Sequence, residues 1–390
     1  MINSIKEETG QLLHNRMLII VLFIIPIAAN LIIGWVFQCN VIRHIPMAIV
    51  DYDQSSLSRM IIQHFSENDT FSVNYMLQDE ETLKQLIEEG KVKTGMVIPG
   101  NFSQDVTMLR SPNVLMIYDG SSMPVASTAK AKASEILLTL KTGAAMKLIG
   151  GKLSVSGDVA YKTALSIGFK NRFMYNPAKS YTYTLNPGLG AATVQSAIVL
   201  MGVVCIRKER LREGLKRNLG YIAGKIVFYG VLGAASLMCS VFIQHLIFAV
   251  PMKGAITTIL VLCLFMAVAE AACAVMLSVW IHEKMFALLV AAVLFIPSTA
   301  LGGYTWPTLS MPGLYKAIAY ILPFAHFGNS LRDLMLKGIP LGNLIPELKW
   351  FTGYTAVCFA LAALGVLAWN LPFLTGSTVL KGEGKANEIC

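Results

Sequence analysis

MLIIVLFIIPIAANLIIGWVFQ, residues 17–38, contains no charged side chain and is long enough for one helix to cross a hydrocarbon core about 30 Å thick, which takes roughly 20 residues. A secretory leader has an apolar region of only about 7–15 residues, and Cys39-Asn40-Val41-Ile42 offers no small-residue cleavage site. The stretch therefore reads as an uncleaved span. No comparable run follows until about Pro187, after which apolar runs recur at 188–206, 226–250, 255–281, 285–301 and 351–371. The expected fold is an α-helical polytopic membrane protein with six transmembrane helices and an α/β domain inserted between the first two.

Whole-chain composition agrees. Of 390 residues 55% are hydrophobic and 14% charged, against roughly a quarter charged in soluble proteins. Disorder and low-complexity architectures are excluded. The net charge of +9 raises the question of a nucleic-acid partner, and its distribution answers it. The stretch 207–225 holds seven basic and two acidic residues, whereas 40–186 holds 15 basic and 13 acidic ones. A short, strongly basic loop between two spans is a retention signal, while the loop after Val250 has only Lys253. Both termini are thus expected in the cytoplasm, with the chain crossing the membrane several times and no nucleic acid bound. The basic loop would lie beside anionic lipid headgroups.

This topology puts 40–186 outside the cytoplasm. Short apolar runs bounded by turn residues at 46–50, 95–98 and 114–118 predict strands. Helical patterns fall at 55–65, opened by a serine cap, and at 80–89, 101–109 and 126–148. Residues 1–16 suit an interfacial helix or a simple anchor, and 372–390 form a cytoplasmic tail. Seven cysteines, none of them in the interior of the external domain, give no disulfide framework and no metal-ligand spacing.

Enzyme signatures fail one by one. His282-Glu283 starts a zinc-protease string, but Phe286 replaces the second histidine. Asp51-Tyr52-Asp53 suits a turn and cap better than a metal pair. Gly224-Lys225 lacks the spacing of a phosphate loop, and Ile226 stands where Ser or Thr would hold magnesium. The chain is expected to bind no cofactor itself. Within 207–217 the interspersed Glu209, Glu213 and Leu215 exceed what a retention signal needs and suggest a docking surface. Glu270 lies mid-span, where a carboxylate costs roughly 3 kcal/mol or more and usually faces a partner or a pathway. Residues 302–322, broken by Pro307 and Pro312 and followed by Pro323, are only moderately apolar. Irregular backbone survives at membrane depth only under protein or water, so the alternatives are a re-entrant segment or an external loop anchored by Tyr304 and Trp306.

Several strings in fixed order carry a family resemblance over nearly the whole chain. They are the run from Pro46 through Asp51-Tyr52-Asp53-Gln54-Ser55-Ser56 to Ser58; Val97-Ile98-Pro99-Gly100-Asn101-Phe102; Asp119-Gly120-Ser121-Ser122; Arg172 with Tyr175-Asn176-Pro177, Ser180 and Pro187-Gly188-Leu189; and Gly302-Gly303-Tyr304-Thr305-Trp306-Pro307 with Met311-Pro312, Pro323, Arg332 and Lys337-Gly338. The chain resembles the permease subunits of bacterial ABC exporters of the second class, in the multidrug-efflux-like branch with a large periplasmic domain between the first two spans. It departs from that family at Leu215, which follows Glu213-Gly214 where a Gly-Thr signature is usual, and at Ser122, where Asn is usual.

The resemblance implies a half-transporter working by alternating access with a second copy or a paralogue. ABC ATPase subunits would carry ATP and magnesium, and a periplasmic adaptor and outer-membrane channel are further partners of such systems. It places ATPase coupling at Arg210, Arg212, Glu213, Leu215 and Lys216. The substrate pathway would run along Phe23, Ile27, Leu31, Val194, Ile198, Met201 and Phe295, all apolar and equally suited to lipid or helix packing. The outer gate would comprise Gly302, Gly303, Tyr304, Trp306 and Pro307. Apolar spans without a charged pathway favour a drug, a lipid or a lipid-linked molecule as substrate. The competing reading is a non-transporting membrane receptor or scaffold that binds an envelope partner through the external domain.

Overall fold

The computed structural model describes residues 9–10, 16–38, 42–108, 110, 112–153, 174–206 and 215–370. The chain divides into two compact units, one formed by 1–40 with 173–390 and the other by 41–172.

The second unit is a four-stranded sheet of order β2-β1-β3-β4, made of β1 (Ile45–Asp51), β2 (Phe71–Leu77), β3 (Thr94–Ile98) and β4 (Leu115–Tyr118). The first three strands are parallel, and β4 pairs antiparallel with β3. Strand β1 is buried on both faces: Ile45, Met47 and Ile49 join one cluster, Ala48 and Val50 the other. That explains a continuous apolar run in place of an alternating one. Helices α2 (Ser56–Ser66), α4 (Phe102–Thr107) and α5 (Met123–Leu153) send Phe65, Phe102 and Ala133 to the first cluster. Helix α3 (Glu80–Glu88) sends Leu83 to the second.

Local chemistry sets these boundaries. Ser55 Oγ accepts the Leu57 and Ser58 N–H groups at 3.1 Å, and Asp79 Oδ1 accepts that of Thr82 at 2.7 Å, so each caps its helix. Asp51 accepts from Asp53 N, Gln54 N and the Ser58 hydroxyl, and Asp53 accepts from Ser103 N. These carboxylates are engaged in holding the ends of β1 and α4. Strand β2 has no counterpart in the sequence-based expectation. It is an edge strand in which Ala48 opposes Tyr75, leaving Asn74 as an extra residue, and only Phe71 is fully buried. The bulge breaks the alternation that would announce it.

At the other edge Lys93 Nζ meets Asp119 Oδ2 at 2.7 Å. That ammonium, with the Ser121 contacts, holds the Asp119 carboxyl well below the usual carboxylate range. A depressed acid stabilises the fold above its unfolded value of about 4, and the contribution is lost as pH falls below that. Asp119→Asn is expected to speed amide exchange in β3 and β4 at neutral pH, with the difference from wild type vanishing in acid.

Among its described residues the first unit contains six helices long and apolar enough to cross a membrane: α1 (Arg16–Val36), α6 (Tyr181–Val204), α7 (Leu215–Leu246), α8 (Ile256–Trp280), α9 with its short continuation α10 (together Lys284–Leu301), and α13 (Ile345–Asn370), which a 3-10 turn at Leu341–Leu344 precedes. About two-thirds of α8 is buried (67%), against 28% of α1 and 22% of α9, so α6, α7 and α8 form the interior and the others line it. Between α10 and α13 lie α11 (Gly313–Ile321) and α12 (Pro323–Lys337). Helix α12 buries Phe324, Phe327, Leu331, Leu334 and Met335 completely.

Three boundaries differ from the sequence reading. Helix α6 starts seven residues before Gly188, because Ser180 Oγ accepts the Tyr183 N–H and Asn176 braces the cap from both sides. Pro187, which looked like an edge, sits inside the helix. Helix α7 takes in much of the basic stretch at its start, and α13 begins at Ile345, before its uninterrupted apolar run.

Candidate functional site

Pro26 has no N–H to offer Leu22, four residues back, and α1 carries a π turn at Ile20–Ile24. The Leu22 carbonyl is satisfied from outside its helix, by Ser236 Oγ of α7 at 2.5 Å. One turn past Pro26, Asn30 is completely buried and ties three helices together. Its Nδ2 lies 2.8 Å from the Pro26 carbonyl, 3.3 Å from that of Gly190 and 3.2 Å from Thr193 Oγ1. Its Oδ1 accepts from Ser240 Oγ at 2.8 Å and Gln244 Nε2 at 2.9 Å. Gly190 makes the approach feasible, since a Cβ there would fall 2.1 Å from Asn30 Oδ1. The Thr182 hydroxyl donates to the Phe37 carbonyl and continues the α1–α6 seam.

Helix α6 is joined to α9 in the same manner. Pro297 interrupts the helical ladder between α9 and α10, and Gln195 Nε2 caps the break by donating to the Phe295 carbonyl at 3.1 Å and Ser298 Oγ at 2.7 Å. At the other end of α6, Lys225 Nζ of α7 donates to the Cys205 carbonyl at 2.8 Å. Lysine side chains are favoured beside the last carbonyls of a helix, where the backbone ladder runs out of donors.

The Gly302–Pro307 segment engages α6 through Tyr304, which is 3% exposed. Its hydroxyl accepts the Gly188 N–H at 2.8 Å, and a Cβ on Gly188 would fall 2.2 Å from its ring. Arg332 of α12 stacks over the ring at 5.0 Å, Phe324 meets it edge-on, and Asn329 Nδ2 holds the Gly302 carbonyl at 3.2 Å. Gly303 has φ +76°, a left-handed turn that glycine takes without strain. Trp306 and Pro307 are exposed, so Tyr304 alone of these two aromatics enters the interior.

The apolar candidates are distributed unevenly. Val194, Ile198 and Phe295 are buried in the core cluster, Phe23, Leu31 and Met201 pack half-buried against it, and Ile27 is half-buried. Glu270 is fully buried in α8. Arg210, Arg212 and Glu213 lie outside the described residues, and Leu215 and Lys216 open α7. The interfacial segment 1–16 and the tail 372–390 fall almost wholly outside the described residues.

The amides Asn30, Gln195 and Gln244 are the polar framework that the sequence reading did not single out. Gln244 is completely buried against Asn30. A signal existed, since an amide inside an apolar run must find a partner in the bundle or leave its hydrogen bonds unmade. Its partners have no sequence signature.

This bundle is an array of apolar helices tied together by interhelical hydrogen bonds and by the packed ring of Tyr304. Comparisons with known proteins point the same way. The probable multidrug ABC transporter permease YbhS of Escherichia coli K12 is 21% identical over 342 residues, covering 85% of this chain and 87% of that protein. The inner membrane transport permease YhhJ of the same strain is 21% identical over 335 residues, 82% of this chain and 84% of YhhJ. ABC transporter G family member 20 of Dictyostelium discoideum is 26% identical over 173 residues, and that match spans 43% of this chain but only 24% of the slime-mould protein. Residues 16–364 match the sequence model of the ABC-2 family transporter proteins, and the chain belongs to that family of multi-pass membrane permeases.

Proposed function

We propose that this chain is the permease subunit of an ATP-driven exporter in a bacterial inner membrane. Two copies, or this chain and a close relative, line one pore. Separate ATPase subunits bind ATP and magnesium and dock at 207–225. The α/β unit lies in the periplasm and both termini in the cytoplasm, a topology that the basic loop 207–225 supports. The cargo is a hydrophobic or amphipathic drug, lipid or lipid-linked molecule; the similarity to YbhS, a probable multidrug permease, supports the first of these.

The observation that carries this reading is the course of α6. It ends at Val204, just before the docking loop, and near its other end Gly188 is latched to Tyr304. A displacement of the loop by the ATPases is transmitted along one packed helix to the mouth segment, switching rigid elements between two arrangements. Asn30 and Gln195 carry the same displacement to α1 and α9.

Co-purification with an ATPase subunit, together with efflux in cells, tests the proposal. Glu213→Lys is expected to lower ATPase recovery and efflux together, by tenfold or more if the contact resembles other desolvated charge contacts worth about 2 kcal/mol or more. If no ATPase is recovered with the wild-type protein and Glu213→Lys leaves efflux unchanged, the scaffold reading takes its place.

A further inference from the structure

Glu270 sits near the centre of α8, fully buried, and neither carboxylate oxygen has a hydrogen-bond partner among the described residues. The other acid within the described spans, Glu347, differs in kind: it meets His326 Nδ1 at 2.5 Å and is partly exposed.

The helices beside Glu270 approach closely. Ala267 and Ala274, three and four residues away, flank it on one helix face. Ala274 would lie 2.6 Å from a Cβ on Gly202 of α6, and Ala267 3.2 Å from one on Gly233 of α7. Among the described residues no cation reaches its carboxylate oxygens. On α8 the titratable neighbours are the thiols of Cys263 and Cys273, and from α13 Cys358 and Tyr354 meet Cys273. On α7 Lys225 donates to the carbonyl of Cys205, the residue after α6, and Tyr221 and Tyr229 present phenol rings. On α12 Arg332 is stacked on Tyr304, Asp333 and Lys337 pair at 2.7 Å, and His326 is paired with Glu347. Lys284 is exposed at the start of α9.

An ionised carboxylate in such surroundings has neither solvent nor partner, and the one ligand that needs no cavity is a proton. We propose that Glu270 is a proton-binding site of the bundle. Its carboxyl carries a proton while α8 is packed on α6 and α7, and yields that proton to water, leaving the carboxylate, when the interface parts during transport. Repacking takes a proton back from water. The exchange rests on the exporter reading; the bound proton of the packed state does not.

Infrared spectroscopy of the full chain in lipid nanodiscs separates the two. The wild-type minus Glu270→Gln difference spectrum at neutral pH is expected to contain one protonated-carboxyl C=O band that shifts in heavy water. Absence of that band overturns the proposal. Should the variant fail to fold, carbon-13 resonances of labelled glutamate in the wild-type protein must still include one protonated carboxyl at neutral pH, and their lack has the same force. In the complex with its ATPase, trapping the ATP-bound state should bleach the band. A band unchanged through active transport defeats proton exchange and leaves export standing, whereas a band without any ATP-driven export defeats the exporter reading alone.

Discussion

Gly188→Leu is expected to abolish efflux in cells while the chain still inserts and accumulates. A Cβ at this position already falls 2.2 Å from the Tyr304 ring, and the ring is boxed in by Phe324 and Arg332. The tyrosine must leave its site. Overpacking of this kind costs about 1–3 kcal/mol, and the Gly188 N–H loses its acceptor, adding about 1 kcal/mol. Insertion is governed by the hydropathy of the spans, which one more leucine does not impair. Thermal unfolding in detergent and an efflux assay read the two effects separately. Tyr304→Phe removes only the hydroxyl and is expected to weaken transport without displacing the ring. Gly188→Ala combined with Tyr304→Ala should be less harmful than the single effects added together, because the truncated ring vacates the space the new methyl needs, and neighbours that share a cavity couple by about 0.5–3 kcal/mol. Wild-type efflux by Gly188→Leu would sink the latch.

The second large effect is at Asn30. Asn30→Leu is nearly isosteric and makes α1 more apolar, so hydropathy alone predicts better insertion. The contacts predict the opposite outcome for the folded bundle. Ser240 and Gln244 lose their shared acceptor, and the Gly190 and Pro26 carbonyls lose a donor. Interhelical hydrogen bonds in membranes average about 0.6 kcal/mol each, with a maximum near 1.7, so the knot as a whole is worth about 2–3 kcal/mol. Helix α1, only 28% buried, has little other packing with which to compensate. The expected result is a lower unfolding temperature and faster proteolysis or amide exchange in α1, with α8 much less affected. Equal protection of α1 in both proteins would show that apolar contacts such as Gly34 against Phe248 hold it unaided.

The amino-acid sequence by itself determined the count of spans, since six apolar runs separated by polar segments leave a membrane chain few other choices. Local elements were also legible where one side chain controls one backbone: Ser55 at the start of α2, or the apolar run that became β1, buried on both faces. Legibility failed where a distant partner decides the structure. Strand β2 was missed because its pairing with β1 absorbs a bulge at Asn74, and Pro187 was misread because Tyr304, more than a hundred residues away, takes the N–H beside it. The functional framework failed for the same reason. Pro26, Asn30, Gln195 and Gln244 are visible as oddities in apolar runs, but which carbonyl each would find depends on helix order and rotation in the bundle. Composition and period fix what enters the membrane, because the transfer of each side chain from water is nearly independent of its neighbours. Hydrogen-bond partners inside it are fixed only by tertiary packing, because lipid supplies none and every freed backbone or amide group must be answered by another helix.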